Sequence, residues 1–237
     1  MKIKYTCPFC KTVLHTTVLE LPLVCPTCSK PVKVREEDLY FLVEMGKRLF
    51  HDNDLRELAL EYFLDASACG ASEVDIYLGA LYFEGVGTEP DEEKAFSYLL
   101  SAYERKDPDA MYYLGRYYLG KDENEKAVSY FEEAAEYDHP HSIGNLAACY
   151  ATGVGVKKDP KKAFGLYSRA AELGNPDSMA LLGGYYERGE VTEVDKWQAL
   201  YWYKRSLDSG NEMARILYYP LYHELHPEGD NGDDGAL

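Results

Sequence analysis

The 237-residue sequence contains no apolar run approaching the ~18 residues that a membrane-spanning helix requires. Its opening, Met1-Lys-Ile-Lys-Tyr-Thr-Cys7, lacks the apolar stretch of a secretory signal, so the expected location is the cytoplasm. Cations are scarce. Twenty-five Lys and Arg face 41 Asp and Glu, a net charge of −16, which argues against broad binding to nucleic acid or anionic lipid. Tryptophan (2) and phenylalanine (8) are few as well. Hydrophobic residues at 46% and charged residues at 28% still allow a packed core and exclude wholesale disorder. The one surplus is tyrosine, with 22 copies.

The charge is unevenly placed. Residues 1–35 hold six cations and a single anion, Glu20, so the remainder carries −21. A change of sign this sharp marks a domain boundary near Arg35. At the other end, residues 227–237 (PEGDNGDDGAL) show no apolar periodicity and read as a disordered acidic tail.

Four of the six cysteines fall within 22 residues, as Cys7-Pro-Phe-Cys10 and Cys25-Pro-Thr-Cys28. A two-residue gap makes a tight knuckle whose sulfurs aim at one centre, and two knuckles complete a tetrahedral thiolate site. The intervening segment 11–21 (KTVLHTTVLEL) is rich in β-branched residues and reads as strand. The pattern is that of a zinc ribbon over 1–35, with one structural Zn2+ held by Cys7, Cys10, Cys25 and Cys28. Thioredoxin-like redox chemistry would need a βαβ setting, and two disulfides would suit a secreted chain; neither context is present. Zinc is preferred over iron because a closed four-sulfur site is its usual form, and closure leaves no position for catalytic water. His15 is then a solvent-facing strand residue.

Beyond Arg35 the chain repeats itself. Ala59, Ala95, Ala127, Ala163 and Ala199 are spaced 36, 32, 36 and 36 apart, each with a small residue seven later: Ala66, Ala102, Ala134, Ala170 and Ser206. Upstream lie Gly46, Gly79, Gly115, Ala147 and Gly183, and Tyr82, Tyr118, Tyr150 and Tyr186 follow four of them by three. Small residues seven apart share a helix face and admit a close neighbour. Gly85, Gly153 and Gly189 each precede by six an aspartate (Asp91, Asp159, Asp195) suited to cap a helix, and Pro160 suits the first helical position. Two helices per ~36 residues cannot bury both faces alone, so the units must stack into an all-α, α/α solenoid.

Leu78-Gly79-Ala-Leu-Tyr82-Phe-Glu-Gly85-Val-Gly87, then Asp91 to Ala95, resembles the SEL-one-like repeat, a longer-looped relative of the tetratricopeptide repeat. So does Asp159-Pro-Lys-Lys-Ala163 with Ala170-Ala-Glu-Leu-Gly-Asn175. Five copies are expected, at 38–71, 72–107, 108–139, 140–175 and 176–211, with Glu212–His226 as a capping half-copy, so that the solenoid runs over 36–226. The first and third copies lack the long glycine loop, and Ala147 stands where the pattern has Gly.

Chemistry is harder to find. The glycine pairs lack the third glycine and preceding strand of a nucleotide-binding loop, and Asp91, Glu92 and Glu93 would repel phosphate. His139-Pro-His141 reads as a capped turn, Cys69 and Cys149 as buried free thiols, and no nucleophile–base pair emerges, so no catalytic residue is expected. Anchor tyrosines, and Tyr62, Tyr98, Tyr130 and Tyr167 on second helices, should be core or half-core. Tyr40, Tyr77, Tyr112, Tyr113, Tyr117, Tyr185, Tyr218 and Tyr219 need another home, and tyrosine suits interfaces.

The resemblance implies a non-enzymatic adaptor or scaffold that binds a protein or peptide on its concave face. Alternatives are a nucleic-acid- or ribosome-associated factor using the basic ribbon, and an enzyme such as a cell-wall hydrolase. Membrane association is not expected, and a monomer is. Transferred from the tetratricopeptide arrangement, first-helix positions six before, three before, one after and four after the anchor point to Tyr40, Val43, Lys47 and Phe50 in the first copy. They point to Glu73, Ile76 and Phe83 in the second, to Asp109, Tyr112, Arg116 and Leu119 in the third, and to His141 in the fourth.

The metal reading has a direct check. Elemental analysis of protein purified without added metal should return one zinc per chain. Cys25→Ser should release it while most helical signal survives, since stacked repeats are stabilised by their neighbours.

Overall fold

Small residues at the anchor positions govern how the helices meet. The computed structural model describes residues 2–6, 13–17, 36–52 and 55–227. The chain divides into two compact units, Met1–Tyr113 and Leu114–Leu237. In the first, strands β1 (Lys2–Thr6) and β2 (Val13–Thr17) pair antiparallel with Thr6 opposite Val13, and β2 lies within the segment read as strand. Helices α1 (Glu36–Phe50) and α2 (Arg56–Ala68) form one antiparallel pair, and α3 (Asp75–Glu84) and α4 (Glu92–Glu104) the next. The helix α5 (Pro108–Gly120) begins in the first unit and ends in the second. The second unit continues with α6 (Asn124–Glu136), α7 (Pro140–Thr152), α8 (Pro160–Glu172), α9 (Pro176–Arg188) and α10 (Lys196–Asp208). A single 3-10 turn then leads into α11 (Arg215–Leu225), the expected half-copy. From Glu36 on, the described residues are all-helical, and each unit is a stretch of α/α solenoid. Cys7, Cys10, Cys25, Cys28 and tail residues 228–237 lie outside the described residues.

The anchors do what their size permits. Gly46 faces the Phe63 ring, Gly79 faces Leu99, Gly115 faces Phe131 and Gly183 faces Tyr203, so each first helix lies directly on a large side chain of its own second helix. Ala59, Ala95, Ala127, Ala163 and Ala199 are all fully buried. Beside them the rings order themselves: Tyr82 stacks on Tyr98 at 5.9 Å and Tyr118 on Tyr130 at 5.5 Å. The lysine before the anchor alanine covers the outer face, with Lys94 5.0 Å from the Tyr82 ring, Lys126 5.1 Å from Tyr118 and Lys162 3.9 Å from Tyr150.

The turns inside the repeats close in one way. Gly85, Gly153 and Gly189 adopt left-handed conformations that end α3, α7 and α9. Asp91, Asp159 and Asp195 then cap α4, α8 and α10 through their carboxylates, with Pro160 opening α8. The cap residue's N–H donates to the anchor tyrosine's carbonyl: Asp91 to Tyr82, Asp159 to Tyr150 and Asp195 to Tyr186. The 32-residue copy keeps this bond, from Glu123 to Tyr118, although it lacks the glycine loop. Its left-handed residue is Asp122. The second glycine of each Gly-Val-Gly approaches backbone of the preceding second helix, Gly87 at Glu57 and Gly155 at Asn124, so the pair serves packing rather than phosphate.

Two expectations need correcting. Cys69 and Cys149 both carry free thiols, but only Cys149 is buried; Cys69 is exposed, because it falls on the capping residue where α2 ends. Tyr185, expected at a surface, is buried against Ala163 and Tyr167, because α9 turns that face toward α8. His139 caps α7 by accepting the Ser142 N–H, as a capped turn should.

The packing rule yields opposite outcomes for two glycine-to-alanine changes. Gly115→Ala drives a methyl into the Phe131 ring and should cost about 1–3 kcal/mol. Gly165→Ala, exposed within α8 with nothing near its Cβ direction, should stabilise by about 0.5–1 kcal/mol. Paired thermal melts decide both signs.

Candidate functional site: an aromatic depression on the first helices

In the first unit, the end of α1, the middle of α3 and the start of α5 enclose a depression of about 230 Å³. Its lining is Phe50, His51, Ile76, Tyr77, Ala80, Asp109 and Tyr113. Tyr77 lies flat on Phe63 at 4.7 Å and meets the edge of Phe50 at 5.1 Å, so its ring is fixed from two sides. Tyr113 meets Phe83 edge-on at 5.7 Å and donates its hydroxyl proton to Glu84 Oε1 at 2.8 Å. Glu84 also pairs with Arg56 at 2.8 Å, and that guanidinium covers the Phe50 ring at 4.4 Å. The walls are therefore held before any ligand arrives.

The electrostatics follow from burial. Burial pushes the Tyr113 hydroxyl well above the usual phenol range, and the Glu84 carboxylate adds to the rise. Tyr77 is raised as well, first by burial, with Asp109, Asp107 and Glu44 raising it further and Lys47 opposing them. Asp107 receives the Asp109 and Ala110 N–H groups at the start of α5, yet burial holds its carboxyl above the ordinary value. A rigid apolar floor with a polar rim can hold an inserted side chain. Its volume is below the ~300–1,000 Å³ of small-molecule sites, and suits a single large side chain of a partner.

Of the residues singled out from sequence, Phe50, Ile76 and Asp109 meet in this depression. Phe83 supports it through Tyr113, and the half-buried Tyr112 ring lies edge-on to Tyr113 at 5.2 Å. Lys47 stands half-buried on α1 and pairs with Glu44 at 3.1 Å. Tyr40 is 69% exposed at the far end of α1. Val43 is not available to a partner: it is a core residue, because α1 presents that position to α2. Glu73 is exposed in the turn before α3. In the second unit Arg116 and Leu119 are half-buried on α5, and the Asn175 Nδ2 donates a hydrogen bond to the His141 Nδ1 at 2.9 Å. Among the described residues, no three His, Cys, Asp or Glu side chains are grouped to hold a metal.

The four-position register left out Tyr77 and Tyr113, although both were among the tyrosines suited to interfaces, and it passed over Ala80 although that position follows the Gly79 anchor by one. The missing signal was present. Tyr77 and Tyr113 each stand two before an anchor glycine, 36 residues apart, so the inner face includes that position too.

Stacked helix pairs of ~36 residues define the class: an α/α repeat protein. The model of the Sel1 repeat family matches residues 74–107, 108–139, 140–175 and 176–211, more than half of the sequence, and the chain belongs to that family. Such repeats generally mediate protein–protein interaction and are typically non-enzymatic. The α1–α2 pair, expected as a first copy, lies outside the match. A Sel1 repeat protein from Oxalobacter formigenes is 24% identical, with 80% of this chain and 82% of that one covered, at a TM-score of 0.67. A protective antigen present in uropathogenic Escherichia coli strains, displaying an SLR fold, is 26% identical, with 78% and 42% covered, at 0.66. An immunity protein from Pseudomonas aeruginosa shares the fold at 20% identity, with 88% and 86% covered, at 0.56.

The rim has a pH signature. A carboxyl whose native value is raised binds its proton more tightly folded than unfolded, so its contribution falls as pH rises through the native value. Asp107→Asn keeps a capping side chain without the charge. Relative to the native chain, the variant should gain stability between acidic and neutral pH, and denaturant midpoints across that range will show whether it does.

Proposed function

We propose that this protein is a non-enzymatic adaptor that holds a partner protein or peptide on the inner faces of its first helices, in the cytoplasm. The observation that carries this reading is the preformed depression, where side chains from three successive first helices converge although they are far apart in sequence. Fixed aromatic rings bordered by an arginine are the usual composition of binding hot spots. A partner would insert one large apolar side chain over Ile76 and Ala80 and lay its polar backbone along Asp109 and Tyr112. Ordered walls reduce the entropy lost on binding.

The N-terminal module is proposed to bind one structural zinc through Cys7, Cys10, Cys25 and Cys28. The β1–β2 pairing supports this, since it joins the two ends of the six-residue segment that contains Cys7 and Cys10. Strands leading into and out of a knuckle are what a ribbon site requires.

Affinity capture from a source lysate, quantified by mass spectrometry, tests the adaptor reading. Asp109→Lys combined with Tyr112→Ala should reduce recovery of the captured partner by about tenfold or more, with little change in melting. Undiminished recovery would move the binding surface away from these helices.

A further inference from the structure

The repeats act as controls for one another on their outer faces. Aligned on the buried alanines, the positions two before and two after are Glu57 and Glu61, Glu93 and Ser97, Glu125 and Ser129, and Lys161 and Gly165, all exposed. In the last copy they are Trp197 and Tyr201, 58% and 51% exposed, with Val194 beside them at 59%. The core of that copy does not use them, for α10 buries Ala199, Leu200, Tyr203 and Ser206 instead. Leaving about half of each of these two aromatic side chains in water forgoes the stabilisation that burying it would supply. Arg205 follows Tyr201 by four residues, with its guanidinium 5.8 Å from the Tyr201 ring and 5.1 Å from Trp202. Trp197, Tyr201 and Arg205 therefore form a ridge at i, i+4 and i+8 along α10, about 12 Å long.

We propose that this ridge is a homodimer contact, in which α10 of a second copy lies antiparallel across it with the two-fold axis at Tyr201. A two-fold interface needs a surface that complements itself, so that each residue i meets j while j meets i. This ridge has that property. Rotation about Tyr201 brings Trp197 against Arg205 of the partner subunit, and Arg205 against Trp197 of the partner subunit, which makes two cation–π pairs around a central tyrosine contact. Antiparallel helices also oppose their dipoles. Charge permits the approach. From Glu193 to His226 there are four cations (Lys196, Lys204, Arg205, Arg215) and five anions (Glu193, Asp195, Asp208, Glu212, Glu224), a balance of −1 within a chain of net −16. Two copies can meet along this nearly balanced segment with less repulsion than the more acidic parts of the chain would impose. One helix ridge and Val194 offer less than the ~1,200 Å² of a standard stable interface, so the dimer is reversible, with a micromolar or weaker dissociation constant.

Sedimentation velocity on the full chain, from low micromolar to near-millimolar concentration, tests the proposal. The expected mass rises from monomer toward dimer. Tyr201→Glu, which sets two carboxylates on the axis, should leave monomer throughout, and Trp197→Arg should weaken association by about tenfold or more. The double exchange Trp197→Arg with Arg205→Trp rebuilds both pairs with their ends reversed and should restore dimerisation to within about threefold. Trp197 and Tyr201 are exposed and Arg205 is half-buried, none of them in the core, so the circular dichroism melt, run on every variant, separates lost contact from lost fold. A wild-type chain that is monomeric at every concentration, a dimer indifferent to Tyr201→Glu, or a monomeric double exchange each overturns the proposal. So does a monomer that uses this ridge to bind a different protein.

Discussion

Close approach between the two helices of each repeat is the constraint on which the rest depends. A first helix can lie on Phe63, Leu99, Phe131 or Tyr203 only because Gly46, Gly79, Gly115 or Gly183 presents no side chain there. That contact fixes how the first helix is rotated about its own axis. Rotation in turn decides which residues face the core, which face the neighbouring repeat, and which remain for a partner. Tyr77 and Tyr113 reach the same depression because each lies two residues before its anchor. The binding face is thus a consequence of packing.

The loops add a second, backbone-level constraint. One hydrogen bond, from the residue that starts the second helix to the carbonyl of the anchor tyrosine, recurs whether the loop is long or short. Keeping that bond lets four residues be removed from the third copy without displacing the pair it joins, since loop length is thermodynamically inexpensive when the ends stay fixed. Lysines over the tyrosine rings and aspartates at the caps then finish each turn with local, mostly exposed interactions of modest strength.

Much of this was legible in the residues themselves. Small residues at fixed spacing announced the pairs, Asp91, Asp159 and Asp195 announced the caps, and Gly85, Gly153 and Gly189 announced the helix ends, because each reflects a local requirement met by few residue types. The inner face was only half legible. A register of four positions follows one edge of a helix face that is more than 100° wide, so it found Phe50, Ile76 and Asp109 and missed Tyr77 and Tyr113. Val43 was misjudged for the same reason, since it sits where that face turns into the core. Cys69 and Tyr185 were misplaced because residue type alone does not tell a helix end from a helix middle, or one flank of a helix from the other. The ridge on α10 could have been seen by comparing outward positions between copies, a comparison that the search for core periodicity passes over.

Inner and outer faces thus carry different information. At the two outer positions that flank the buried alanines the earlier copies carry no aromatic ring, whereas the first helices gather rings that rest on the core and line the depression. Site-specific photo-crosslinking compares the two faces directly. With a photoreactive phenylalanine analogue at Tyr112 on the inner face, or at Ser97 on the outer face, irradiation in source lysate should trap a partner band from position 112 and none from position 97. Crosslinks from Ser97 alone, or equal bands from both, would contradict an account in which the first helices hold the partner.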